Sequence, residues 1–154
     1  MEVSLNKVIV FELNGQKYGV DIQQVKSIEK LQGMTQVPQS SYFVRGVINL
    51  RGEITPVIDL KDRLNLGKAV ETIDTRVLIV HINDVQVGLI VDSATEVIDI
   101  DESMVEPAPE MIGKIDQSFI RGVAKVADDL LVLLDVSEVL NNDEVVEVDR
   151  IASS

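Results

Sequence analysis

Two aspartates stand in closely similar surroundings, Asp59 in VIDLKDRL and Asp135 in LLDVSEVL. A symmetric carboxylate pair can share one proton and activate water, as in the aspartic proteases, because close like charges push the two pKa values apart. That chemistry calls for Thr or Ser and then Gly after each aspartate, whereas Leu60 and Val136 follow here. Both aspartates read instead as helix N-caps, with Asp62 and Glu138 three residues on, as in a capping box. His81 is the only histidine, and there is no cysteine. A lone imidazole without thiolates or clustered acids makes a poor metal site and builds no Ser-His-Asp relay. The acidic stretch DIDESMVE (99–106) lacks the glycine and ligand spacing of a calcium loop. Neither GxxxxGK[ST] nor GxGxxG occurs, so no phosphate-cradling loop is expected. No cofactor is implied.

One further residue is out of keeping with its surroundings. In GVINLRGEITPVIDL (46–60) the pattern is that of a β-hairpin, and Arg51 stands in the turn between Leu50 and Gly52. A guanidinium is always charged and carries five donors. At an apolar hairpin tip it suits either bidentate pairing with a carboxylate, across an interface or from a neighbouring helix, or the capping of exposed carbonyls or pairing within its own barrel.

The elements that must position these residues are short β-type runs: KVIVFELN, QKYGVDI, VINL, ITPVIDL, RVLIVHIN, VQVGLIVD, ATEVIDI and LLVLLDV. They are rich in Val and Ile and are punctuated by Asn-Gly, Arg-Gly, Asn-Asp and Asp-Asp, with Asn14-Gly15 a strong type I′ turn signal. Alternation puts His81 on a solvent-facing position.

The chain also repeats itself. VIVFELNGQKYGV (8–20) lies without gaps over VLIVHINDVQVGL (77–89), and FVRGVINLRGEITPVIDLKDRL (43–64) over FIRGVAKVADDLLVLLDVSEVL (119–140). Two related units follow, 1–70 and 71–142, joined near GKAVETIDT (67–75) and followed by an expected mobile tail, 143–154. Small units with frequent turns suit small closed β-barrels, and repeats of this kind can exchange terminal strands. Residues shared by both copies, such as Gly46/Gly122, Arg45/Arg121 and Phe43/Phe119, are demanded twice by the fold and are read as structural. Arg51 is not shared: Ala127 takes its place, so the second hairpin turns without an arginine.

Charge narrows the partners. The chain carries a net −12, of which residues 1–76 contribute +1 and residues 77–154 contribute −13. Nucleic-acid affinity comes from cations displacing counterions, and bases stack on aromatic rings. A surface this acidic, with no Trp, three Phe and two Tyr, argues against a nucleic-acid binder. No apolar run reaches the length of a membrane span, and MEVSLNKVIVFELNG lacks the basic-then-apolar form of a signal peptide. A cytoplasmic protein with no membrane insertion is expected.

GVINLRGEITPVIDL, preceded by YGVDIQQVKSIEK and VPQSSYFVR and followed by VGLIVDSATEVIDI, VEPAPE and LLVLLDVSEVL, closely resembles the CheW family of chemotaxis coupling proteins over residues 6–142. The related CheV-type proteins carry a further receiver domain. The resemblance implies a mostly β fold, two tandem SH3-like five-stranded barrels with a few short helices, and no enzymatic activity. It implies a non-catalytic adaptor that joins chemoreceptor cytoplasmic tips, which are helical hairpins, to the CheW-like regulatory domain of the histidine kinase CheA. The same coupling chemistry would serve a non-chemotactic chemosensory kinase pathway. By carry-over, Val25, Ile28, Arg51 and Val87 are the receptor-contact candidates. Leu31, Met34, Thr35 and Val37, in LQGMTQVP (31–38), are the CheA-contact candidates; their apolar side chains either face a partner or fill their own barrel. The family often has Glu where this chain has Ser27, so Arg51 needs another partner, Glu29 or a receptor carboxylate.

Overall fold

The computed structural model describes residues 5–38, 40–108, 111–112 and 115–153. Thirteen strands are present among them: β1 (Leu5–Leu13), β2 (Gln16–Asp21), β3 (Val25–Lys30), β4 (Val44–Leu50), β5 (Glu53–Asp59), β6 (Arg76–Ile82), β7 (Val85–Val91), β8 (Ser93–Asp101), β9 (Val105–Glu106), β10 (Met111–Ile112), β11 (Ile115–Asp116), β12 (Ile120–Val126) and β13 (Asp129–Leu134). Two α-helices join them, α1 (Leu60–Arg63) and α2 (Asn142–Ala152).

Four hairpins, β1–β2, β4–β5, β6–β7 and β12–β13, each close over two residues, since Leu13 pairs with Gln16, Leu50 with Glu53, Ile82 with Val85 and Val126 with Asp129. Such loops need positive φ, which matches strand twist. Asn14 and Gly15 (φ 54° and 79°), Arg51 and Gly52 (50° and 89°), and Asn83 and Asp84 (50° and 66°) supply it.

The hairpins assemble into two main sheets with strand orders β3-β6-β7-β5-β4 and β8-β1-β2-β13-β12-β9, beside a small β10-β11 ribbon. The sheets do not follow the halves of the chain. The first hairpin of each copy lies in the sheet built from the later strands of the other copy. Parallel pairing makes each junction, β5 with β7 and β2 with β13. The units expected at 1–70 and 71–142 are therefore threaded through one another.

Each sheet curls and is closed by the segment after an edge strand. Thr35, beyond β3, exchanges two 2.8 Å hydrogen bonds with Val47 of β4, and β9, beyond β8, pairs with β12. This explains Gly46 and Gly122. A Cβ on Gly46 would lie 2.3 Å from the Thr35 carbonyl oxygen, and one on Gly122 2.8 Å from that of Glu106. The glycines are required because the closing segment runs against the backbone, a matter of space.

The core has three parts. Ile48, Val57, Val77, Ile79 and Ile90 fill the first barrel, and Val8, Val10, Ile100, Ala124 and Leu131 fill the second. A larger shared cluster, including Phe11, Leu13, Phe43, Leu78, Leu89 and Leu134, lies where both sheets contribute. Units this small bury little surface alone, so the shared cluster makes the two barrels one folding unit.

The tail expected to be mobile is instead α2. Asn141 accepts from Glu144 N at 2.9 Å while Glu144 Oε1 accepts from Asn141 N at 2.8 Å, a complete capping box. Val145 and Val148 are buried in the shared cluster, and Glu147 accepts from both N and Oγ of Ser41. The apolar spacing pins the helix, which is too short to persist alone.

Candidate functional site

Arg51 occupies the first central position of the β4–β5 turn at φ 50°. A side chain there costs about 1 kcal/mol relative to glycine, because Cβ crowds the backbone. Ala127 holds φ 54° at the matching place in β12–β13, so the turn forms without a guanidinium. The Asn49 side chain accepts from Gly52 N at 2.9 Å and fixes the turn. The Arg51 side chain is 71% exposed and reaches back to β3, where Nη2 lies 3.4 Å from Glu29 Oε2. Exposed pairs of this length contribute little stability, so the contact orients the guanidinium without removing it from solvent.

A cleft of about 390 Å³ lies between the edges of β3 and β4, lined by Ile28, Glu29, Lys30, Ile48, Asn49 and Leu50 among others. Inward positions of β3 alternate with outward ones; Val25, Ser27 and Glu29 are half-buried, whereas Lys26, Ile28 and Lys30 are exposed. Ile28 thus presents an aliphatic side chain, 42% exposed, on the outward face of β3 and along the cleft, whereas Arg51 meets Glu29 of the other face. Val25 packs against the shared cluster. Ser27 Oγ is buried without a hydrogen-bond partner among the described residues, and Arg51 pairs instead with the carboxylate two residues along the same face.

Val87 does not belong to this surface. It is fully buried at 0% exposure in the shared cluster, and its alternating neighbour Gln86 carries the polar contacts, accepting from Lys26 and donating to Thr55. The carry-over of a valine to a surface fails here because β7 is an interior strand of a sheet packed on both faces, so the side chains of Val87, Leu89, Ile90 and Val91 all point into apolar packing.

The 31–38 segment is irregular, with a single bridge at Thr35. Leu31 and Met34 are half-buried and pack against the first barrel's interior, Val37 is half-buried, and Thr35 is exposed while bridging to Val47. This segment and the Arg51 cleft lie on neighbouring parts of one barrel, both bordered by β4.

The aspartates behave as caps. Asp59 is fully buried and accepts from Asp62 N, Ala69 N and Arg45, whose Nη2 lies at 2.7 Å. Asp135 accepts from Ser137 N and Oγ. Neither Asp62 nor Glu138 returns the bond that would complete a capping box; that motif appears only at Asn141 among the described residues. His81 is exposed opposite Gln86. In 99–106, Asp99 pairs with Lys7 and Asp101 caps a turn at Ser103 N. No group of three metal-ligating side chains occurs among the described residues.

Sequence reading missed Arg63. Its guanidinium lies over the Phe43 ring at 5.1 Å and the Phe119 ring at 5.4 Å, the two aromatics that the repeat superposes. It donates to the Val139 carbonyl at 2.6 Å and to Glu144 at 2.9 Å. One side chain therefore ties both copies and the first turn of α2 together. The one available signal was that Val139 stands at the matching position of the second copy.

A family model, the CheW-like domain, matches residues 7–144. The chain belongs to the CheW family. The chemotaxis protein CheW of Bacillus subtilis is 45% identical over 137 residues, spanning 89% of this chain and 88% of that protein. CheW of Helicobacter pylori is 34% identical, over 88% of this chain and 81% of that one. The crystal structure of a scaffolding CheW from Thermoanaerobacter tengcongensis superposes with a TM-score of 0.83 at 39% identity, covering 92% and 91% of the two chains. The fold is accordingly the CheW pair of SH3-like β-barrels, and the protein is a chemotaxis coupling scaffold of a non-catalytic family. In that frame Asp59, Asp135 and His81 have structural or solvent-facing places. Among the described residues, no helix is long and apolar enough to cross a membrane.

Proposed function

We propose that this CheW-family chain acts in the cytoplasm, joining the helical-hairpin tips of chemoreceptors to the regulatory domain of the histidine kinase CheA. The observation that carries the reading is Arg51: an arginine held at a positive φ that the second copy fills with alanine, exposed and paired with Glu29, whose cleft the aliphatic Ile28 also lines. A permanent cation next to apolar surface suits an amphipathic helix face that offers a carboxylate and an aliphatic ridge. Arg51 and Ile28 are the receptor contacts, and Val25 supports them from beneath. Val87, being interior, has no direct role.

Leu31, Met34, Thr35 and Val37 form the CheA contact. Thr35 and the exposed edges of Leu31, Met34 and Val37 offer a small apolar surface at a barrel end, suited to another small barrel. Surfaces of this size bind weakly one at a time, and an assembly of many copies gains strength through effective concentration. Receptor control of the kinase then follows from holding both partners in fixed register on one rigid unit.

The test is binding of the purified chain to a CheA regulatory domain and, separately, to a receptor cytoplasmic fragment, by isothermal titration calorimetry. Saturable binding to both supports the reading, and absence of both removes it.

A further inference from the structure

The repeat that isolates Arg51 also isolates a cavity. In the second barrel a hollow of about 300 Å³ is walled by Val8, Ile100, Val105 and Leu133, with Asp21, Glu102 and Arg121 at its mouth. The corresponding place in the first barrel is lined differently, as the substitutions between copies show. Val8 corresponds to Val77, and Asp21 corresponds to Ile90, since the ladders pair Val8 with Asp21 and Val77 with Ile90. Ile90 is 3% exposed and fills the first barrel's interior. Val105 stands where the first barrel has Met34: the one meets a Cβ built on Gly122, the other a Cβ built on Gly46. A smaller side chain and a polar one thus replace two that fill space.

The charges differ in the same way. Arg45 is bound to the fully buried Asp59 at 2.7 Å, whereas its counterpart Arg121 does not engage Asp135. Arg121 is half-exposed and, among the described residues, reaches only Asp21, at 3.9 Å, while Asp21 is already accepting from Gln23 N. A guanidinium held so loosely keeps its planar fork open to a carboxylate, the geometry it matches best. Two carboxylates share the mouth with it, so an anion alone is poorly matched and a ligand bearing an ammonium beside its carboxylate is well matched.

We propose that this cavity is a binding site for a small apolar zwitterion of the branched-chain amino-acid class. The aliphatic side chain enters between Val8, Ile100 and Leu133. The carboxylate sits on Arg121, and the ammonium faces Asp21 and Glu102. The volume is at the small end of ligand pockets, which favours a single amino acid over a larger molecule. The inference is independent of receptor and kinase coupling, because it concerns the other barrel.

The experiment is an NMR titration of the full ¹⁵N-labelled chain with L-leucine, with 4-methylpentanoate, which lacks the ammonium, as the second probe. Saturable shifts confined to amides around Gly19, Asp21, Ile100, Arg121 and Leu133 are expected, with affinity in the millimolar range usual for so few atoms. Arg121→Gln and Val105→Met, the latter placing the first barrel's residue in the hollow, should each weaken leucine at least about tenfold, a difference of about 1.4 kcal/mol. Both variants are checked for a native spectrum before titration. No saturable shift up to about 50 mM leucine, a weaker affinity than pocket burial of this size should give, overturns the proposal. So does equal binding by 4-methylpentanoate, or leucine binding unchanged in both variants.

Discussion

Replacing Arg63 with methionine removes the guanidinium while keeping much of the aliphatic stem. Two ring contacts, at 5.1 and 5.4 Å, are lost. Each is worth about 0.5–1 kcal/mol, and somewhat more in partly desolvated surroundings. The hydrogen bonds to the Val139 carbonyl and to Glu144 go as well. Bonds to charged groups contribute about 1.5–3 kcal/mol each, but these two share one side chain and are not additive. Both partners of the Glu144 pair are only 17% exposed, so screening is partial. Glu144 keeps its bond from Asn141 N, which softens the loss. The net expectation is about 3 kcal/mol, or a Tm lowered by roughly 6–12 °C for a chain of this length. Calorimetry measures it, and hydrogen exchange should show α2 amides losing protection before those of the sheets. A Glu144→Gln background should shrink the effect by about 1–2 kcal/mol, since the pair is then already broken. A Tm within about 2 °C of the parent, or α2 exchange left unchanged, would refute the view that this arginine ties the two copies to the helix.

Asp59→Ala leaves Arg45, Asp62 N and Ala69 N without their shared acceptor, and should cost about 3–5 kcal/mol by chemical denaturation, with Asp59→Asn costing less. Val148→Ala opens a void under α2 and should cost roughly 1–2 kcal/mol, seen as earlier proteolysis of the C-terminal helix than of the barrels. Burial raises the pKa of Tyr18, which stacks on Phe11. A raised folded-state pKa means that stability is intact below the ordinary tyrosine pKa and is lost as pH climbs through the folded value. Tm should therefore fall above about pH 10, and Tyr18→Phe should flatten that alkaline decline.

Much of the fold was legible because its signals are local. Two-residue turns at 14–15, 51–52 and 83–84 needed only their turn residues and flanking alternation. The self-comparison found the two copies because each strand pair is demanded twice. The exchange of hairpins was not legible in detail, since either arrangement satisfies the same alternation. It is set by which faces combine in the shared cluster around Phe11 and Leu89. The C-terminal helix was missed because it has no counterpart in the first copy, where the chain runs on into β6, although Asn141 and Glu144 did spell its cap.

The site divided along the same line. Arg51 and Ile28 could be read out because turn position and strand alternation decide their exposure. Val87 could not, because a central strand covered on both faces has no outward side. The partner of Arg51 was open between Glu29 and a foreign carboxylate; within the chain it is Glu29, on the same face of β3 as Ser27. Arg63 combines rings and carbonyls far apart in sequence, a conjunction that no single stretch displays.

The central claim is that Arg51 serves a partner and not the fold, and Arg51→Asn separates the two. Asparagine tolerates a left-handed turn position, so the variant should be as stable as the parent or more stable by up to about 1 kcal/mol. Titrated against a receptor cytoplasmic fragment and a CheA regulatory domain, it should lose receptor affinity about tenfold or more, the scale of one charge-assisted bond. CheA affinity should be unchanged. A variant that unfolds, that loses both partners equally, or that binds the receptor as tightly as the parent would contradict the account.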